Sequence, residues 1–281
     1  MKKERVDVLL VEQGLFETRE KAKRAIMAGI VYSNEMRLDK PGEKIPADAI
    51  LVIKGKTLPY VSRGGLKLEK ALKVFNLDIK DKILLDIGAS TGGFTDCALQ
   101  NGAIMSYAVD VGYNQLAWKL RNDERVVVME RTNFRYVTPS DLNGPMPNFA
   151  SVDVSFISLK LILPVLKTLL VPGSNVVALV KPQFEAGREQ VGKKGIVRDS
   201  KVHEQVLQKI IEFSLQTGFN VKNLSFSPIT GGDGNIEFLL HLNWTGEKEE
   251  NEMGVNELTI TPSQIVEAAH MEFSSKTKEW L

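Results

Sequence analysis

The apolar run Asn175-Val176-Val177-Ala178-Leu179-Val180 stops at Lys181-Pro182. A lysine closing a strand buried on both faces is either a solvated cap or a group aimed at a ligand. Pro182 bars continuation of the strand at the point where that lysine projects. The apolar strand before it, Phe149-Ala150-Ser151-Val152, ends in Asp153. Two consecutive strands ending in an acid and an amine converge on one rim of an open sheet, where such sheets bind ligands. Ser62-Arg63-Gly64-Gly65 opens a helix that supplies Lys67, and Gly234-Asn235-Ile236 brings Glu237 to the start of another apolar run. A lysine takes up a proton only if its pKa falls; burial and a nearby positive charge lower it, and neighbouring acids raise it. Amines oriented by acids suit the activation of an oxygen nucleophile, or the stabilisation of charge that develops on it.

A second group of residues has the order of a nucleotide site. Leu85-Asp86-Ile87-Gly88-Ala89-Ser90-Thr91-Gly92-Gly93-Phe94 reads as a strand, a small-residue loop and a helix start. Glycines let backbone approach a ligand closely and adopt turns that side chains resist. The loop lacks the Gly-Lys-Ser/Thr of a P-loop and the GxGxxG of a dinucleotide fold. It suits S-adenosylmethionine, which has an amino-acid end and no pyrophosphate; a tight structural turn is the alternative. Asp110 ends the next strand, Ser106-Tyr107-Ala108-Val109, where a carboxylate either accepts both ribose hydroxyls of an adenosine or simply meets solvent. Glu130-Arg131-Thr132-Asn133 offers a polar edge for adenine, with Asn133 the candidate. Asp153 belongs to this site too, and Phe156 lies beside the cofactor or a flipped nucleotide, or else in the core.

These residues need strands alternating with helices to hold them. Apolar runs at 83–85, 104–109, 126–128, 150–154, 176–180 and 238–242 read as strands, and 93–100, 115–120, 161–170 and 203–217 as helices. The alternation predicts an α/β fold, a mostly parallel Rossmann-like sheet with helices on both faces. Apolar content of 43% and charged content of 25% are those of an ordinary globular chain. With a net charge of +1, nucleic-acid binding has to come from local patches. The single cysteine, Cys97, leaves no disulfide framework and fits a reducing, cytoplasmic setting. The start MKKERVDVLLVEQG is too interrupted for a signal peptide, and no stretch approaches the roughly 20 apolar residues of a spanning helix. His203, His241 and His270 are scattered, which gives no metal spacing, and His203 reads as structural.

Residues 1–58 have a different character. Apolar positions in 5–12 are helical and stop at Gly14; Thr18 caps a second helix over 19–28, with Lys21 at its third position. Arg19, Lys21, Lys23 and Arg24 fall along one exposed region, Ala22, Ala25 and Ile26 point inward, and Gly29 ends the helix. Short β pieces follow at 30–32 and 50–53. Charge alone leaves the basic face as a solvated surface or a phosphate contact. The order RxDxxLxxxG, KAKRAIMAGIVYSN, KPGEKIPADAILV resembles the S4-like RNA-binding module. The resemblance implies that Arg5, Arg19, Lys21, Lys23 and Arg24 meet the phosphates of structured RNA. Ser33-Asn34-Glu35 departs from the usual Val-Asn-Gly in a turn.

Further along, SRGGLKL, LDIGASTGGFTD, VDVGYNQLAWKLRND, ERTNFR, DVSFISL, LVKPQFE, VGKKGIVRD and NIEFLL resemble the TlyA family of rRNA methyltransferases. Lys67, Asp153, Lys181 and Glu237 resemble the K-D-K-E tetrad of FtsJ-like ribose 2′-O-methyltransferases. The resemblance implies an S4-like domain over 1–58, a linker over 59–64, an FtsJ-like methyltransferase domain over 65–244 and a tail over 245–281. That tail starts acidic (Glu247, Glu249, Glu250, Glu252) and reads as loosely attached or as a final helix. Implied too are S-adenosyl-L-methionine as cofactor, a cytidine of 16S and/or 23S rRNA as substrate and ribosomal subunits as partners; the lone cysteine and the lack of ligand spacing predict no metal. Lys181 is then the base or the charge stabiliser, Lys67 assists, and the acids orient both. Arg63, and Arg188, Lys193 and Lys194 of a basic loop expected to be flexible, are assigned to RNA backbone. A non-catalytic ribosome-binding factor and a cytolysin, since some members are labelled hemolysins, are the competing readings.

Overall fold

The computed structural model describes residues 3–34, 36–54, 58–246 and 254–278. It divides into two compact units, Met1–Gly65 and Leu66–Leu281. Glu35 and the acidic run Glu247, Glu249, Glu250 and Glu252 lie outside the described residues.

The smaller unit runs β1 (Lys3–Arg5), α1 (Val6–Glu12), α2 (Arg19–Met27), β2 (Val31–Ser33), β3 (Met36–Arg37), β4 (Lys44–Pro46) and β5 (Leu51–Ile53). β1 pairs with β4, and β2 lies between β3 and β5. The Thr18 side chain accepts from the Lys21 N–H at 3.3 Å and so caps α2. Gly29, at φ +70°, turns the chain out of that helix. Val6, Leu9 and Leu10 of α1 close on Ala25 and Ile26 of α2 and on Leu51. Lys23 and Arg24 are half-buried, not part of one exposed row with Arg19 and Lys21, because a nine-residue helix over so small a core has little free face.

The larger unit contains α3 (Gly65–Val74), β6 (Ile83–Ile87), α4 (Gly93–Gln100), β7 (Met105–Val109), α5 (Trp118–Arg121), β8 (Val126–Met129) and β9 (Phe149–Val152). It continues through α6 (Leu163–Leu166), β10 (Ser174–Val180), α7 (Pro182–Glu185), α8 (Ser200–Gln216), β11 (Asn220–Phe226), β12 (Phe238–Trp244) and α9 (Pro262–Lys278). The sheet order is β11-β12-β10-β9-β6-β7-β8. From β8 to β10 every pairing is parallel; β12 runs antiparallel to both of its neighbours. The chain leaves β6 for β7 and β8 on one side and returns to β9 and β10 on the other, which opens a crevice beyond the ends of β6 and β9. The antiparallel β12 brings its first residues to that same rim. Leu85, Val109, Ala150, Val176 and Phe238 are buried in one continuous core. Each large side chain so buried contributes about 1.5–3 kcal/mol.

Three segments differ from the sequence reading. The helix expected over 115–120 is only Trp118–Arg121, because the Glu130 carboxylate captures the N–H groups of Asn114, Gln115 and Leu116. The helix expected over 161–170 is α6 flanked by 3-10 turns, Leu159–Leu161 and Lys167–Leu169; Pro164, without an N–H, is tolerated only in a first turn. β11 was not expected: NVKNLSF carries polar residues on one face and a register shift between Val221 and Asn223. Of the two readings of the C-terminal segment, the structure has the final helix, α9. Glu257 N–H bonds to Val221 O at 2.8 Å, and Ile265, Val266 and Ala269 of α9 are buried in the core of this unit.

Candidate active site

Four charged side chains meet at the rim. Asp153 follows β9, Lys181 follows β10, Glu237 precedes β12, and Lys67 lies in the first turn of α3. Lys181 Nζ is 2.5 Å from Asp153 Oδ1. Lys67 Nζ is 3.3 Å from Asp153 Oδ2 and 2.7 Å from Glu237 Oε2. The order is therefore Lys181–Asp153–Lys67–Glu237. Burial works against the Lys67 ammonium, but Asp153 and Glu237 outweigh it and hold its pKa above the ordinary lysine value. Burial likewise opposes the Asp153 carboxylate, and Lys67 and Lys181 overcome it to hold that pKa below the usual value. Lys67, clamped between two acids, is thus fixed as a cation. Lys181 is held differently: by one carboxylate and by the Ser155 hydroxyl, to which its Nζ donates at 3.2 Å.

Beside this row lies a cavity of 340 Å³, within the usual range of small-molecule sites. Ile87, Val109, Phe134 and Ile162 give it apolar walls; Ser90, Asp110 and Asn133 give it polar points, and Asp153 and Ser155 edge it. Asp110 is aimed by backbone: Oδ2 accepts from Ser90 N–H and Oδ1 from Gly112 N–H, each at 2.7 Å. Each oxygen keeps a lone pair for a further donor. Gly88 makes the crevice possible. At φ +83°, a Cβ there would lie 2.4 Å from the Asp153 carbonyl oxygen. Two non-glycine residues on the cavity wall, Ser90 and Phe156, also take left-handed backbone, with φ of 49° and 63°. Such strain costs on the order of 1–3 kcal/mol and gathers where loops are shaped for ligands.

Of the residues predicted for the cofactor, Gly88, Ser90, Asp110, Asn133, Asp153 and Phe156 line the cavity. Ala89, Thr91, Gly92, Gly93 and Phe94 form the turn and the start of α4 and are not among its walls. Asp86 is also set back. It is fully buried and accepts from Thr95 N–H, Thr95 Oγ1 and Ser151 Oγ, fastening β6 to α4 and β9. Burial raises its pKa to about 6 against those hydrogen bonds. Glu130 anchors the 114–116 turn. Although burial opposes it, three backbone N–H groups and Arg121 bring its pKa down to about 2.

Three further residues matter that the sequence reading did not single out. Ser155 holds Lys181. Glu185, its pKa raised by burial, accepts from Ser158 Oγ at 2.5 Å and Leu159 N–H at 2.7 Å, tying α7 to the loop after β9. Asp7 is buried between Arg5 and Arg19, two of the assigned RNA contacts. Arg5 and Asp7 are neighbours within RxDxxLxxxG, whereas tertiary structure alone brings Lys181 to Ser155, Ser158 to Glu185 and Arg19 to Asp7.

Among the other assigned RNA contacts, Lys21 pairs with Glu17, and Arg63, Arg188, Lys193 and Lys194 are exposed. The basic loop is fastened at its end: Asn235 accepts from Val197 N–H at 3.0 Å and donates to Gly195 O at 2.9 Å. His203 is fully buried; its Nε2–H donates to the Val197 carbonyl, so its Nδ1 accepts from His270 Nε2–H at 3.0 Å. Among the described residues, no cluster of three or more His, Cys, Asp or Glu is placed to hold a metal ion. Among the same residues, no helix is long and apolar enough to cross a membrane.

A family model described as FtsJ-like methyltransferase matches residues 60–244, and the S4 domain model matches residues 4–51. The Bacillus subtilis protein YqxC, provisionally named an rRNA methyltransferase, is 72% identical over 275 residues, 98% of this chain and 97% of that one. A Mycobacterium tuberculosis protein named 16S/23S rRNA (cytidine-2′-O)-methyltransferase TlyA is 41% identical over 239 residues, covering 85% of this chain and 89% of that one. A solved structure from Streptococcus thermophilus, carrying the provisional label hemolysin, is 59% identical with a TM-score of 0.79, and the match covers 99% of both chains.

Proposed function

The chain belongs to the FtsJ-like methyltransferases and, within them, to the TlyA family, and from that premise we propose that it methylates the 2′-hydroxyl of a cytidine in ribosomal RNA. The observation that carries the chemistry is the Asp153 carboxylate between two lysines at the edge of the cavity. S-adenosylmethionine fits the donor set there. Apolar walls suit an adenine, and Asp110, pinned by backbone, suits a pair of ribose hydroxyls. Asp110 and Asn133 would hold the nucleoside end, and Ser90 would flank it. When bound, this cofactor supplies an electrophilic methyl group on a positively charged sulfur.

The chain's own residues prepare the acceptor. A ribose hydroxyl is a weak acid, so its oxygen becomes an effective nucleophile only as its proton leaves. Lys181, in its neutral amine form, would take that proton as the methyl group passes from its sulfur to the oxygen. Lys67, fixed as a cation, keeps Asp153 in place and stabilises charge developing at the oxygen. Asp153 orients both amines, and Glu237 holds Lys67 from the far side. The S4-like unit, with Arg63 and the loop carrying Arg188, Lys193 and Lys194, grips RNA backbone by charge. The target cytidine leaves its stack to reach the row.

The test uses ribosomal subunits from a strain lacking this protein, incubated with the cofactor and the full chain. Nucleoside mass measurement and ribose-methylation mapping of 16S and 23S rRNA should reveal new 2′-O-methylcytidine, and they identify which rRNA receives it. Lys181→Ala should leave cytidine unmodified while still binding both ligands. No new 2′-O-methylcytidine in either rRNA would sink the proposal in favour of a non-catalytic ribosome-binding factor.

A further inference from the structure

We propose that Ser155 is a positioning residue for methyl transfer: its hydroxyl fixes the direction of the Lys181 amine. This rests on the reading of Lys181 given above. The ammonium group has three N–H bonds at tetrahedral angles. One is directed at Asp153 Oδ1, at 2.5 Å, and another at Ser155 Oγ, at 3.2 Å. With one partner alone, the amine keeps rotational freedom about that contact. With two, the direction of the remaining N–H, or of the lone pair once a proton is lost, is set.

The loop that carries Ser155 is built to hold it there. Phe156, the next residue, sits in left-handed backbone at φ 63°, which fixes the turn. Two residues further on, Ser158 Oγ and Leu159 N–H both donate to Glu185. Glu185 closes α7, a four-residue helix whose N-cap is Lys181 itself. The contacts therefore form a ring: Lys181 to Ser155, along the loop to Ser158, across to Glu185, and back through α7 to Lys181. Ser155 is exposed and on the cavity wall, whereas Lys181 is buried. Ser155 is thus the point at which this ring meets the ligand space.

Lys67 shows why the other lysine lacks such a residue. Two carboxylates already hold it, so its position needs no hydroxyl. Among the described residues, Lys181 has a single carboxylate partner, Asp153. A neutral hydroxyl supplies direction without adding charge.

The experiment measures single-turnover methyl transfer to rRNA by the full chain carrying Ser155→Ala, Ser155→Thr or Lys181→Ala. Affinity for S-adenosylhomocysteine and for RNA and the thermal midpoint are measured on the same samples. Ser155→Ala should slow transfer by about 10- to 100-fold, the scale of one hydrogen bond to a charged group, with both affinities kept within about twofold. Ser155→Thr, which restores a hydroxyl, should recover most of the rate. Wild-type transfer by Ser155→Ala overturns the proposal. So does a threonine variant as slow as the alanine one, or a rate loss matched by an equal loss of S-adenosylhomocysteine affinity. The control separates the two readings: if Lys181→Ala transfers at the wild-type rate, the role of Lys181 fails; if it is inactive while Ser155→Ala is unimpaired, only the role of Ser155 fails.

Discussion

Each unit of the molecule contains a carboxylate held between two cations, and the two clusters behave differently. In the smaller unit, Asp7 receives the Arg5 fork at 2.9 and 3.1 Å and Arg19 Nη2 at 2.9 Å. In the larger, Asp153 receives Lys181 and Lys67. A guanidinium is planar, donates in a fixed fork and does not release its proton in a protein; an ammonium is a compact point charge that can. Asp7 is fully buried, and its cluster clamps the start of α1 to the start of α2. Asp153 keeps 17% of its side chain exposed and edges a cavity. Counting charges would not tell the two apart. What separates a clamp from a reactive site is which cation is used and what space it faces.

The largest effect should come from giving the second cluster the cation of the first. Lys181→Arg keeps the charge but not the ability to accept a proton. If Lys181 is the base, transfer falls by about 100- to 10,000-fold in single-turnover assays. Retention within about tenfold would mean that only its charge is used, narrowing the contrast with Asp7 to geometry.

Next comes removal of the shared cation. Lys67→Met leaves Asp153 and Glu237 facing each other without the ammonium between them. Breaking a buried pair in this way costs about 3–5 kcal/mol, measured by denaturant unfolding, and transfer should fail as well. An unchanged midpoint would show that the row contributes nothing to folding. Arg19→Lys in the smaller unit is the milder counterpart. Arg19 is half exposed, so the loss of its contact should cost no more than about 1 kcal/mol. RNA affinity, measured separately, reports whether the clamp also aims the basic face.

The smallest effect is in pH dependence, where the clusters should fail at opposite ends. Hydrogen bonding from Arg5, against burial, holds the Asp7 pKa at about 2, below that of an unfolded aspartate. Its stabilisation is complete above about pH 4 and is lost as pH falls through about 2. The Lys67 pKa is raised, so its stabilisation is complete below the ordinary lysine value and is lost only as pH rises beyond it. Thermal midpoints against pH should therefore show an acid limb that Asp7→Asn flattens and an alkaline limb that Lys67→Met flattens. Limbs unchanged by these substitutions would refute the assignment.

Much of the larger unit was legible because strands buried on both faces are written as continuous apolar runs, as in 176–180 and 83–87. β11 escaped because an edge strand with one polar face spells no such run. Pro164 did announce the break in the 161–170 helix, and the apolar content around it hid the signal. At the site, strand-end acids and amines could be read one by one, but their order along the row could not. Asp7 is the acid of RxDxxLxxxG, and Ser155 and Glu185 lie within quoted motifs, but their distant partners cannot be read from those motifs. Their partners lie 26, 27 and 12 residues away for Lys181, Ser158 and Arg19, brought close only by the finished fold. Asp86 shows the reverse: a motif residue whose spacing pointed to the ligand and whose hydrogen bonds point into the core.

The antiparallel course of β12 has a consequence in time. Glu237 lies 170 positions beyond Lys67, and the strand it precedes hydrogen-bonds to the outer side of β10. A growing chain therefore lacks a complete row of four until β12 has emerged and inserted. Until then Lys67 has one acid instead of two. An unfinished copy lacks the complete row, which suits a catalyst whose proposed substrate is part of the machine that synthesises it.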